Sequence, residues 1–126
     1  MKTIVNLCPH PLQVQNTSGQ IVTIPPTGIV MRVSTAKINV GTVETDAGSF
    51  TLRRSSFGQI EVIEGQKTCE AFGNDPYAFD ENSLYVVSSL VLDRIPQTHQ
   101  HLFIAPDDLV RDANGTIVGC VGFKIS

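Results

Sequence analysis

Residues Leu84 to Ile95 constrain this chain more than any other stretch. Leu84-Tyr85-Val86-Val87 is an unbroken apolar run of β-branched and aromatic residues, the pattern of a strand covered on both faces. Such a strand must lie centrally, because each face needs its own packing partner. Ser88-Ser89 follows, and Leu90-Val91-Leu92-Asp93-Arg94-Ile95 then returns apolar residues at helical spacing until Pro96 ends the pattern. A central strand running into a short, serine-capped helix is the expectation. The serine pair carries two readings. Its hydroxyls satisfy the first free N–H groups of the helix, or those same groups meet a phosphate or carboxylate. The plain cap is the commoner arrangement.

The remaining chain reads as strands punctuated by turns. Thr3 to Leu7 forms a first strand, stopped by Cys8-Pro9-His10-Pro11, where two prolines fix the backbone and remove two donors. Leu12 to Gln15 and Ile21 to Ile24 make a hairpin across Asn16-Thr17-Ser18-Gly19, and Ile29 to Val33 follows as a further strand. From Ser34 to Ser49 the pattern weakens into an exposed hairpin or mobile loop. Phe50-Thr51-Leu52 and Ile60 to Ile63 are strands joined by a connector, Arg53-Arg54-Ser55-Ser56-Phe57-Gly58. Glu64 to Asn82 wraps the surface with Phe72, Tyr77 and Phe79 as anchors and a turn at Gly73-Asn74-Asp75-Pro76. Gln97 to His101 is a polar loop before strand Leu102 to Ile104. Leu109 to Arg111 and Thr116 to Val121 pair across Asp112-Ala113-Asn114-Gly115, and Phe123 to Ile125 continues the last strand. The fold class is α+β, mostly antiparallel β with one short helix after the central strand, in one domain over residues 1–126.

Composition narrows the function. With 41% hydrophobic and 17% charged residues and a formal charge of −3, the chain has a core-forming composition and lacks the basic excess that general nucleic-acid binding needs. No apolar run is long enough to cross a membrane, and the start reaches Asn6 and Pro9 too soon for a secretory signal core, so a cytoplasmic location is expected. Cys8, Cys69 and Cys120 are odd in number and widely spaced, consistent with a reducing compartment and with no zinc motif.

Few groups carry chemistry. His99 and His101 fall on one side of an extended segment, but zinc needs a third ligand that only a distant Asp107 or Asp108 would supply, so no metal and no cofactor are expected. No nucleophile elbow, phosphate loop or dinucleotide fingerprint occurs, and no catalytic residue is assigned. The Arg53-Arg54-Ser55-Ser56 connector stands apart, because two guanidinium forks and two hydroxyls suit a phosphate or carboxylate. An Arg-Arg pair equally suits a charged edge that discourages strand pairing.

Asn6-Leu7-Cys8-Pro9-His10-Pro11-Leu12 resembles the Asn-Leu-Thr-Pro-His opening of a group of small uncharacterised proteins encoded by phages and prophages, with Cys8 in the place of Thr. The likeness extends to Leu84 to Val91, and to Ala105-Pro106 followed by Val110 to Gly119; Ser34 to Asn82 has no counterpart. It implies a phage context, in which compact proteins that sequester nucleotide-derived immune signals occur. The first expectation is accordingly a non-enzymatic, homo-oligomeric binding protein that holds a small anionic, nucleotide-like ligand with Arg53, Arg54, Ser55, Ser88, Ser89, Asn6 and His10. A second is a small hydrolase or lyase with His10 as acid or base, assisted by Asp107 or Asp108. A third is a protein-interaction or virion accessory module without a small-molecule site.

Overall fold

The computed structural model describes residues 1–73 and 77–126, the side chains of residues 117 and 118 excepted. The expected turn at Gly73-Asn74-Asp75-Pro76 therefore falls largely outside the described residues. The protein is mostly β, with two short helices. Its strands are β1 (Thr3–Asn6), β2 (Leu12–Gln15), β3 (Ile21–Ile24), β4 (Ile29–Thr45), β5 (Gly48–Glu64), β6 (Lys67–Glu70), β7 (Ser83–Val86), β8 (Phe103–Pro106), β9 (Leu109–Arg111), β10 (Ile117–Val121) and β11 (Phe123–Lys124). The helix α1 covers Ser89–Leu92, and a 3-10 helix covers Gln97–Leu102.

The sheets are mixed, which corrects the mostly antiparallel, one-helix expectation. In the first sheet, ordered β1-β7-β8-β11, the pairs β1/β7 and β7/β8 are parallel and only β8/β11 is antiparallel. The second sheet, β3-β2-β10-β9, pairs β2 with β10 in parallel between two antiparallel hairpins. A parallel neighbour requires a crossover of a dozen or more residues. The segment from Val87 to Leu102, holding α1 and the 3-10 helix, is that crossover between β7 and β8. The third sheet, β4-β5-β6, is antiparallel throughout.

β7 is central, as its sequence requires, and its alternate residues serve two cores. Tyr85 and Val87 join Phe103 and Ala105 in one cluster with Leu7, Met31, Val33, Ile60, Val62, Val91, Leu92, Ile95 and Leu102. Val86 joins Ile104 on the opposite face, in a second cluster with Cys8, Leu12, Val14, Ile24 and Cys120. The first sheet is thus a middle layer. The second sheet covers one face; the root of the β4/β5 hairpin, α1 and the 3-10 helix cover the other. Phe72 and Phe79 pack with Tyr85 and Phe103 as ring pairs 5.2–6.3 Å apart, and Tyr77 lies 5.0 Å from Phe79, so the wrapping segment is anchored as its aromatic residues suggest.

Two local readings change. The residues read as a connector, Arg53 to Gly58, are the middle of the 17-residue strand β5; the weakly patterned stretch before them, Ser34 to Ser49, is an exposed hairpin, one of the two forms expected of it, in which most of β4 turns into the start of β5. The end of the chain does not continue β10. Gly122, at φ +85°, turns the chain out of the second sheet, and Phe123–Lys124 pairs with β8 in the first. A left-handed residue is what that corner needs, and glycine adopts it without steric cost.

Val87 has no exposed surface, and its N–H donates to the Ile104 carbonyl at 3.0 Å. Val87→Asp places an unpaired carboxylate in the larger core, and the expected loss of several kcal/mol, about the stability of a whole domain, abolishes cooperative unfolding in a urea or thermal melt. A variant that melts like the parent protein contradicts this placement of β7.

Candidate functional site

Asn6 is the polar residue around which the N-terminal loop closes. It is 1% exposed at the end of β1. Its Nδ2 donates to the His10 carbonyl at 3.0 Å and to the Ile24 carbonyl at 3.2 Å, and its Oδ1 accepts the Cys8 N–H at 2.9 Å. Thr27 Oγ1 donates to its backbone carbonyl at 3.0 Å. Every polar atom of the side chain is therefore engaged within the fold, and Pro9 and Pro11, lacking N–H groups, leave fewer donors to satisfy in this loop. The role is structural: Asn6 fixes the path by which the chain leaves the first sheet and enters the second.

The loop so fixed forms one wall of a cleft of about 600 Å³, whose lining includes Cys8, His10, Leu12, Ser88, Ser89 and Leu109. Two of the separately predicted features, His10 and the serine pair, thus meet in one place. Ser88 is the N-cap of α1, its side chain accepting from the Val91 N–H at 3.4 Å. The helix is a single four-residue turn, so the cap reading accounts for Ser88. Among the described residues no lysine or arginine lines the cleft. Burial pushes the Cys8 thiol above the usual cysteine range, and Cys120 is raised first by burial and then by the Asp107 carboxylate, against a backbone hydrogen bond that lowers it. Neither is set up as a thiolate nucleophile.

Arg53, Arg54 and Ser55 lie elsewhere, on the outer part of the β4/β5 hairpin. All residues from 35 to 59 are exposed. At about 3.3 Å per residue, the ten or so residues on each side reach roughly 35 Å beyond the packed body. Arg53 pairs in register with Asn39, Arg54 with Ile38 and Ser55 with Lys37. Successive residues of a strand point to opposite faces, so the two guanidinium groups do not share one pocket. Neither is brought to the cleft.

That alternation divides the arm cleanly. Directly paired residues share a face, and the register places Lys37, Ser55, Asn39, Arg53, Thr42, Thr51, Glu44 and Ser49 on one side, polar but for Phe57, which pairs with Thr35 where the arm leaves the body. On the other side lie Ile38, Leu52, Val43 and Phe50, exposed by 51, 46, 40 and 51%, with Arg54 at the base. Irregularities in register at Ser34 and Val40 interrupt the period-2 pattern, which is why it is hard to follow along the sequence. At the base, the Arg94 guanidinium sits 4.5 Å over the Phe57 ring. At the tip, Thr45 and Gly48 close a turn on Asp46 and Ala47, Thr45 Oγ1 donating to the Gly48 carbonyl at 2.9 Å.

The histidine pair is not extended. His99 and His101 lie in the 3-10 helix, where the His99 ring lies tilted against Phe72 with centroids 4.9 Å apart and His101 meets Glu81 at 2.9 Å. Among the described residues no group of three His, Cys, Asp or Glu side chains is placed to hold a metal, and no helix is long and apolar enough to cross a membrane. Asp107 and Asp108 stand at the β8/β9 corner, with Asp108 at φ +49° and both carbonyls accepting from the Val121 N–H. The chain matches no protein-family model, no curated protein and no solved structure.

Asn6→Ala takes the side-chain partner from the buried Ile24 carbonyl, the buried Cys8 N–H and the part-buried His10 carbonyl, and a loss of about 2–4 kcal/mol in urea unfolding is expected. Asn6→Asp keeps the acceptor for Cys8 but sets a carboxylate against two carbonyl oxygens. Its folded-state pKa is then raised above the unfolded value, so its stability falls as pH rises through the carboxylate range. The gap between the Asp and Ala variants should narrow on acidification; a gap independent of pH contradicts the clamp.

Proposed function

We propose that the protein is a non-enzymatic protein-interaction module, of the accessory kind that its phage-like resemblance suggests, and that the β4/β5 arm is its working surface. One observation carries the reading: about twenty-five exposed residues form a ribbon with one polar and one apolar face, and among the described residues the apolar one is left uncovered. A two-stranded ribbon on its own is at best marginally stable in water. Contiguous exposed apolar surface on a soluble chain marks a contact site. Neither buried cluster contains a residue between 35 and 59, so the core places no demand on this sequence.

The test is a photo-crosslinking residue in place of Phe50, activated in cells that make the protein, with the same group at exposed Ile125 as control. A discrete protein adduct from the arm, absent from the control, is expected. Absence of any adduct from position 50 overturns the reading.

A second reading, capture of a small nucleotide-like ligand, draws support from the cleft where His10, Ser88 and Ser89 meet. There the ligand's charge would be met by hydroxyl and imidazole groups, the guanidinium groups of Arg53 and Arg54 lying on the arm. If it holds, a nucleoside monophosphate raises the melting temperature of the parent protein, and His10→Ala removes the shift while Arg53→Ala with Arg54→Ala preserves it. A panel of such nucleotides that leaves the melting temperature unchanged removes this reading.

A further inference from the structure

We infer that the arm's partner is a second copy of this chain, the two arms packing apolar face to apolar face, antiparallel, about a twofold axis. The inference rests on the arm being the working surface and adds what occupies it. The argument is charge, and then shape. From base to tip the arm runs from cations to acids: Lys37, Arg53 and Arg54 lie near the body, Glu44 and Asp46 near the turn. Of these, Lys37, Arg53 and Glu44 lie on the polar face and Arg54 on the apolar one, so pairing across the contact falls to Arg54 and the turn residue Asp46. Glu44 accepts a hydrogen bond from Ser49 at 2.8 Å, whereas among the described residues the ion pairs are Arg32 with Glu61 and His101 with Glu81. The charges of Lys37, Arg53, Arg54 and Asp46 are thus unpaired within the described chain. A surface with opposite charges at its two ends complements itself when a copy is laid against it in reverse, which is the condition for an isologous contact.

The register gives the contact its detail. Along the apolar face the paired residues are Ile38 with Arg54, Gly41 with Leu52, Val43 with Phe50, and Thr45 with Gly48 at the turn. A twofold axis through the Thr42 and Thr51 pair sets Val43 and Phe50 of one copy over Gly41 and Leu52 of the other. It also sets Arg54 over the opposing turn, where Asp46 sits. Gly41 has no side chain, and a Cβ built there meets no atom within 4 Å, so a notch stands open beside Leu52 where the opposing Val43 fits, while the opposing Phe50 ring lies on Leu52. Two such faces pack at about the 10 Å spacing of stacked sheets. The polar faces stay in water.

The experiment is a charge exchange read by sedimentation over a wide concentration range. The parent protein is expected at twice the 13.6 kDa chain mass. Arg54→Asp and Asp46→Arg each set like charges together twice by symmetry, and each raises the dissociation constant about tenfold or more. The double variant regains the parent affinity. A one-to-one mixture of the two single variants forms a heterodimer, because each then offers the charge that the other lacks. Phe50→Ser, which by symmetry removes two ring contacts with the opposing Leu52, raises the dissociation constant by about a hundredfold. Unchanged body melting curves for all variants exclude misfolding. A parent protein that stays at 13.6 kDa throughout, or single variants that dimerise like the parent, overturns the inference. An arm crosslinked to a protein other than itself overturns it too, while leaving the interaction reading standing; an arm that crosslinks to nothing ends both.

Discussion

The burial of β7 on both faces is the constraint on which the body depends. A strand with one wet face needs one core; Tyr85-Val86-Val87 needs two, and the chain supplies them with different elements. One core draws on the second sheet, through Leu12, Val14, Ile24 and Cys120. The other draws on the ribbon root and the crossover, through Met31, Val62, Leu92 and Leu102. Because side chains alternate strictly, slipping this strand by one residue would exchange the two sets and leave neither core packed. Its register is also held by parallel neighbours on both edges, β1 and β8.

A middle layer shared by two cores obliges the chain to cross between sheets. Between the first and second sheets it does so three times, after β1, after β8 and after β10, the middle one at Asp107-Asp108, with Asp108 at φ +49°. After β1 the crossing is held by the Asn6 side chain, which ties the His10 and Ile24 carbonyls and the Cys8 N–H to one point. After β10 it is made by Gly122 in the left-handed region, with the Asp107 N–H donating to the Gly122 carbonyl at 3.1 Å. The cleft lies at this seam. Its walls come from the first crossing, the cap of α1 and the β9/β10 edge, so it is also explained by the geometry of joining two layers and does not by itself imply a ligand.

Local patterns were legible in the sequence, and long-range pairing was not. The β2/β3 hairpin, the β9/β10 hairpin around Asn114-Gly115, the Ser88 cap and the central β7 all follow from neighbouring residues. The parallel pairings do not, because nothing in Thr3 to Asn6 names Ser83 to Val86 as its partner. A signal existed: a strand apolar on both faces followed by a helical crossover is characteristic of parallel sheets, and that signal outweighs the hairpin count. Among the site residues, His10 and the serine pair converge although 78 positions separate His10 from Ser88. Arg53-Arg54-Ser55 was read as a loop because its residue types suit one. β propensity is weak and context-dependent, and here pairing with the opposite strand from Ile29 to Thr45, interrupted at Ser34 and Val40, overrides it.

The arm's sequence has a different logic from the body's. A solvent-exposed ribbon with no partner is best served by polar residues on both faces and by charges that discourage edge pairing. Lys37, Arg53 and Glu44 meet that need on one face. On the other, Ile38, Val43, Phe50 and Leu52 work against it, since each presents apolar surface to water and adds nothing to either buried cluster. Removing these four from water stabilises only a state in which the arm is covered. The irregularities at Ser34 and Val40 point the same way. Such bulges increase twist and bend a strand, and at Ser34 a Cβ added to Gly58 would collide with the Ser34 side chain, so the two strands approach closely where the ribbon leaves the body. On the proposed reading, the energetic reason for residues 35–59 lies outside the isolated chain, in the partner that closes over that face.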